Sequence, residues 1–183
     1  IVDEIRQFAK NQAQSYTKLP VSLTNVVNTA LSIIGYDREA KKRTIVRDFQ
    51  VAPVLTMNPD KIIQVVINLV RNAVQATAEN GTITVIISAN DSRALIDITD
   101  NGCGIPSDEL LTAFDRHATS KITSASDLNT IRTLGFRGEA LASIAAVSEI
   151  EVITKIREES AGAKLLMAGG QIVEQSKTGA PDG

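Results

Sequence analysis

The chain of 183 residues carries 19 basic and 21 acidic side chains for a net charge of −2, with 43% hydrophobic and 22% charged residues. That length is enough to bury a core within one domain, and that balance leaves no global field to recruit nucleic acid. One cysteine and one histidine exclude an internal disulfide and a zinc constellation, while no stretch has transmembrane length or reads as a signal peptide. A reducing, cytoplasmic setting without a membrane partner is expected.

In chain order, "IVDEIRQFAKNQAQ" (1–14) sets Ile1, Ile5, Phe8 and Ala9 on one stripe at helical spacing. This helix has little domain around it, is expected to continue upstream, and is the candidate surface for a homodimer. Pro20 then breaks the pattern. Residues 22–35 read as a second amphipathic helix with Leu23, Val26, Val27, Ala30, Leu31 and Ile34 inward. The run Lys41-Lys42-Arg43 reads as a solvated turn, and "RTIVRDF" as a short strand. Asn58 can cap the strongest helix start in the chain, and Pro59 fits its first turn. From Pro59 to about Ala78 apolar pairs recur at helical period.

"TITVIIS" and "ALIDIT" predict two strands joined by the hairpin turn "ANDSR". Ser107 is placed to cap a short helix ending near Phe114. Residues 116–134 are small, polar and weakly periodic, which predicts a long loop or lid. "GFRGEALASIAA" opens another helix with glycines at its mouth. "SEIEVITKI", "AKLLMA" and "QIVEQS" predict three strands, the last two turned by Gly169-Gly170. With four Phe, two Tyr and no Trp, the core must be aliphatic, and stacking platforms for single strands are not expected. Helices and antiparallel strands in blocks predict an α+β fold, a two-layer sandwich.

Three places carry chemistry. Asn68, Asn72 and Gln75 stand at i, i+4 and i+7 and share one face of their helix. Their amide oxygens are hard ligands of the kind Mg²⁺ takes together with waters and phosphate oxygens; a solvated polar face has the same composition. In "DITDNGCGIP" a strand ends at Asp100, and Gly102 and Gly104 follow. The carboxylate can accept from an exocyclic amine such as that of adenine, with the glycines allowing close approach. An ordinary tight turn uses the same residues. In "LGFRGEAL", Gly135 and Gly138 precede a helix whose free amides and dipole suit phosphate, although G-x-x-G is also a common loop entry.

Taken together and in this order, the three elements resemble the GHKL (Bergerat-fold) ATPases, a superfamily comprising gyrase, the heat-shock chaperones, sensor histidine kinases and MutL. Residues 1 to about 100 are similar to a histidine kinase catalytic domain through "NPDKIIQVVINLVRNAVQA", "NGTITVIIS" and "ALIDITDNG". From Asp100 onward "DNGCGI", "RHATSKI", "LGFRGEALASIAAVSEIEV" and "GAKL" with "GGQIVEQ" resemble the mismatch-repair MutL family. The shared "DNGxGI" is a natural seam, as in a chimaera. The resemblance implies a mixed, mostly antiparallel sheet covered by helices on one face. It also implies residues 1–19 as the end of an upstream helix with its linker, and 20–183 as the ATP-binding domain with a lid at about 116–134.

The same resemblance implies an adenine nucleotide, ATP or ADP, with Mg²⁺. Asp100 would take adenine, Asn72 the metal, and Gln75 would join that face. Gly102, Gly104 and Ile105 would line the base, and Thr119, Ser120 and Lys121 would begin the lid. The amides of Gly135, Phe136, Arg137, Gly138, Glu139, Ala140 and Leu141 would cradle the phosphates, with Arg137 and Glu139 bracing the turn. Asn68 stands where the MutL family has its general-base glutamate, and a neutral amide cannot take the proton. His117 lies within the lid run rather than on a phospho-acceptor helix. Weak or absent hydrolysis is therefore expected. The alternatives are an active MutL-type ATPase and a kinase domain acting in trans.

Overall fold

Asn58 and Pro59 open the longest helix as their chemistry predicts. In the computed structural model, which describes residues 18–114, 140–146 and 148–181, the Asn58 side-chain oxygen accepts from the Lys61 amide at 3.0 Å. The elements in chain order are β1 (Leu19–Ser22), α1 (Leu23–Ile34), a 3₁₀ turn (Ala40–Lys42), β2 (Thr44–Phe49), β3 (Val54–Met57) and α2 (Pro59–Ala76). After these come β4 (Thr82–Ala89), β5 (Ala94–Asp100), a 3₁₀ turn (Thr112–Phe114), α3 (Ala140–Ala145), β6 (Glu149–Thr154), β7 (Gly162–Ala168) and β8 (Gln171–Thr178). The α+β class is as expected. The predicted helix at 1–14 and the lid at 116–134 lie outside the described residues.

The described strands form three hydrogen-bonded groups, ordered β1-β3, β2-β4-β5 and β6-β7-β8. The described residues divide into two compact units: those up to Val74 with Thr82–Thr99, and Gln75–Gly81 with those from Asp100 onward.

In the first unit β2 runs parallel to β4, with Thr44 opposite Thr82 and Phe49 opposite Ile87. The alternation read from "TITVIISA" is seen directly, since Ile83, Val85 and Ile87 are fully buried while their neighbours are not. They pack with Leu23, Val27, Ala30, Leu31 and Ile34 of α1 and with Val66, Val70, Ala73 and Val74 of α2. Each of the buried Val, Leu and Ile side chains contributes about 1.5–3 kcal/mol by leaving water. Asn90 closes the turn between β4 and β5. Its side-chain oxygen accepts from the Ser92 and Arg93 amides at 3.0 and 2.9 Å, and its own amide donates to the Arg93 carbonyl at 2.9 Å.

One element of this unit departs from the sequence reading. Pro20 does not merely break the chain; it sits inside β1, which pairs antiparallel with β3 so that Pro20 faces Thr56. A proline without an N–H is tolerated there because, among the described residues, the ribbon has two strands and each pairs on one side.

In the second unit β7 pairs antiparallel with both β6 and β8. Gly169 and Gly170, at φ +57° and +78°, make the two-residue turn between β7 and β8, where two successive positive φ values favour glycine. Leu110, Phe114, Ala145, Ala163, Leu165 and Met167 form this unit's core. Ser107 does not cap a helix. Its amide and hydroxyl both donate to Glu159 Oε1, at 3.0 and 2.9 Å, and only one 3₁₀ turn forms near Phe114.

Candidate functional site

β5 delivers Asp100 at its last residue, and the turn that follows fixes the carboxylate. The Gly102 amide donates to Asp100 Oδ1 at 2.9 Å, and the Thr77 hydroxyl reaches the same oxygen at 3.4 Å. No hydrogen bond reaches Oδ2 from the described residues. Burial pushes the Asp100 carboxyl up from its ordinary value, outweighing the lowering by Gly102 and Thr77. Asp100 therefore presents one anchored oxygen and one open acceptor, in surroundings that make an incoming donor worth more than in water.

Thr77 is the residue beside Asp100 that the sequence did not single out. It is only 2% exposed and directly follows α2. The available signal was a hydroxyl at a position where the apolar period would place a hydrophobe.

The two glycines after Asp100 are required by the chain's own packing. A Cβ on Gly102 would lie 2.5 Å from Asp100 Oδ1 and 2.8 Å from the Ala76 carbonyl. Gly104 has φ +72°, and a Cβ there would run into the Lys155 carbonyl. Close backbone approach was the correct expectation, but the approaching group is this protein's own backbone. The Cys103 amide donates to the Ala76 carbonyl at 3.1 Å, and the Ile105 amide donates to Thr154 Oγ1 at 2.8 Å. Asp100, Gly102, Gly104 and Ile105 are thus brought into one fixed loop together with Thr77.

On α2, Asn68 accepts from Gln64 Nε2 at 3.0 Å. Asn72, one turn on, is half-buried, and its side chain has no hydrogen-bond partner among the described residues. Gln75 is exposed. Among the described residues no three His, Cys, Asp or Glu side chains cluster to hold a metal. An open amide oxygen such as that of Asn72 fits Mg²⁺ only where water and phosphate oxygens supply the remaining ligands.

Ala140 and Leu141 lie in α3. Thr119, Ser120, Lys121, Gly135, Phe136, Arg137, Gly138 and Glu139 lie outside the described residues, as does His117. A groove of about 390 Å³ lined by Pro20, Val21, Asn25, Val26, Pro59 and Ile63, among others, includes none of the sequence-predicted site residues.

The family model described as "Histidine kinase-, DNA gyrase B-, and HSP90-like ATPase" matches residues 57–167, more than half of the chain. The chain belongs to that family. Within these GHKL proteins, the DNA mismatch repair protein MutL of Agathobacter rectalis is 49% identical over 119 residues, which are 65% of this chain and 18% of that protein. MutL of Acidobacterium capsulatum is 48% identical over 124 residues, 68% of this chain and 18% of that protein. The chain thus spans under a fifth of these curated relatives.

Solved structures of similar fold include histidine kinases. The "Mycobacterial sensor histidine kinase MprB" aligns with TM-score 0.57 at 17% identity, covering 81% of this chain and 85% of that one. Full-length ShkA, solved in complex with AMPPNP, aligns with TM-score 0.61 at 18% identity over 91% of this chain and 33% of that one. These likenesses concern the fold.

Proposed function

We propose that this chain is an adenine-nucleotide-binding domain in which Asp100 Oδ2 accepts from the exocyclic amine of adenine. The observation that carries the reading is the Asp100 carboxylate itself. One oxygen is anchored by Gly102 and Thr77, the other is free of partners among the described residues, and burial penalises its charge. A donor at Oδ2 offsets that penalty, and an amine on a flat ring is a donor suited to a strand end walled by glycine backbone. The crystallised complex of ShkA with AMPPNP, a protein of the same fold, supports the choice of an adenine nucleotide.

In this reading the Asn72 side-chain oxygen would hold Mg²⁺, which would neutralise phosphate charge when bound. The family resemblance assigns the phosphates to the amides from Gly135 to Leu141 and the start of the lid to Thr119, Ser120 and Lys121; of these only Ala140 and Leu141 are among the described residues. Asn68 limits turnover, because a neutral amide already accepting from Gln64 offers no base to an attacking water. The module is therefore a nucleotide binder with weak or absent hydrolysis; its reading as a kinase/MutL hybrid of cytoplasmic setting, with residues 1–14 as candidate homodimer surface, rests on the sequence alone. The 49% identity to MutL over 119 residues favours one alternative, an ATPase of DNA mismatch repair, and Asn68 stands against it.

Calorimetric titration of ADP into the parent and into Asp100→Asn tests the reading. The amide keeps one acceptor oxygen and sets a donor against the adenine amine, so binding should weaken at least tenfold, the order of one misplaced hydrogen bond. Unchanged affinity in the variant would remove Asp100 from the site.

A further inference from the structure

Between Asp100 and Ser107 Ile105 packs partly against the second unit's core, and the path of the chain is held at four backbone amides. Those of Gly102 and Cys103 are taken by Asp100 Oδ1 and the Ala76 carbonyl. The other two are taken by a segment about fifty residues further along. Ile105 donates to Thr154 Oγ1 at 2.8 Å, and Ser107 donates to Glu159 Oε1 at 3.0 Å, with its hydroxyl adding a second bond to that oxygen at 2.9 Å. Between these anchors Gly104 lies against the Lys155 backbone so closely that no side chain fits.

Thr154 is only 5% exposed and stands at the end of β6, a position where a β-branched residue would serve the sheet equally well as valine. Its hydroxyl is therefore explained by the Ile105 amide and not by the strand. Glu159 is held below the usual carboxylate range, first by the Ser107 amide and then by the Ser107 hydroxyl, so its bonds to Ser107 are charge-assisted.

We infer that Thr154 and Glu159 are positioning residues for the nucleotide site, and that the segment 154–159 is a buttress fixing the Asp100 loop. The inference rests on the reading of Asp100 given above. The Gly102 amide decides which Asp100 oxygen is anchored and which is open, and that amide is only three residues from Ile105. Releasing Ile105 or Ser107 lets the loop shift, frees Oδ1, and allows the carboxylate to rotate away from the orientation in which Oδ2 faces a ligand. Positioning groups of this kind act through ångström-scale placement.

Thr154→Val keeps the shape and removes the acceptor, leaving the Ile105 amide unpaired, while Thr154→Ser restores the hydroxyl. Calorimetric ADP affinity should fall about tenfold in Thr154→Val, the usual scale for one lost buried hydrogen bond, and return to within about twofold of the parent in Thr154→Ser. Glu159→Ala should weaken ADP binding, and Glu159→Gln, which keeps an acceptor, should lie closer to the parent. In the ligand-free protein, hydrogen exchange at the Gly102 and Cys103 amides should quicken in Thr154→Val and Glu159→Ala and be spared in the two conservative variants.

ADP affinities equal to the parent's in both Thr154→Val and Glu159→Ala would overturn the buttress and leave the nucleotide reading standing. So would a Thr154→Ser variant as weak as Thr154→Val. Should Thr154→Val fail to fold, Glu159→Ala and its amide pair decide alone. A parent that binds no ADP would instead refute the nucleotide reading, and the exchange rates would then decide whether 154–159 holds the loop.

Discussion

Replacing Gly104 by alanine sets backbone geometry and close contact against the fold at once. Gly104 has φ +72°, and a non-glycine residue held in the left-handed region costs about 1–2 kcal/mol. Its new methyl would also run into the Lys155 carbonyl and lie 3.1 Å from the Ile156 nitrogen. Both are backbone atoms that cannot rotate aside, and the Ile105–Thr154 bond holds the loop against them. Overpacking of this sort adds about 1–3 kcal/mol, so the total is about 2–5 kcal/mol. For a chain of this size, each kcal/mol moves the unfolding midpoint by about 2–4 °C, which puts the expected drop near 10 °C. Gly169→Ala separates the two terms, because Gly169 has φ +57° but nothing within 4 Å of its Cβ position; it should lose only the first 1–2 kcal/mol. Gly179, with neither feature, should change by under about 0.5 kcal/mol. Urea unfolding followed by circular dichroism measures all three at constant m. A Gly104→Ala variant no weaker than Gly169→Ala would refute the claim that Lys155 occupies the side-chain space.

Asn58→Ala removes the cap of α2 and should cost about 1 kcal/mol in the same assay. Since burial raises the Asp100 pKa, the folded state holds that proton more tightly than the unfolded chain does. The stability from this group is then complete below its ordinary 3.8 and lost as pH rises through the folded value. The stability of the parent relative to Asp100→Asn should accordingly decline as pH rises from 3.8, and urea midpoints in which it increases would reverse the sign argued here. Asn68→Glu should raise phosphate release by about 10²–10⁴-fold, the usual contribution of a positioned base, with nucleotide affinity little changed. A variant that binds and stays inert would show that position 68 is not what limits turnover.

Local pattern made a large part of this molecule legible before the structure. The apolar period of α2, its Asn58–Pro59 start, the alternation of β4 and the Gly169–Gly170 turn each depend on residues within a few positions of one another. Asp100 and its glycines were legible as a carboxylate in a tight turn with close backbone approach. The ribbon of β1 and β3 was not, because its four-residue strands are too short for alternation and acquire meaning only when paired. Nor could sequence assign Ser107 to Glu159, 52 residues away, since a serine after proline reads equally well as a helix cap. Gly104 was recognisable as a site of close approach, but its partner, Lys155, is fixed by tertiary contact that no local period encodes. Thr77 was hidden for the opposite reason: its role depends on a carboxylate 23 residues on, and adjacency to a helix end suggests nothing of it.

Unfolding of the parent at rising ADP concentration tests the central claim most directly, because a ligand that binds only the folded state stabilises it by mass action. The account predicts a midpoint that climbs with the logarithm of ADP concentration, reaching a gain of about 2.7 kcal/mol at one hundred times the dissociation constant. In Asp100→Asn the same curve should be displaced to higher ADP. A parent midpoint that does not move at millimolar ADP would contradict the assignment of this site to adenine nucleotides.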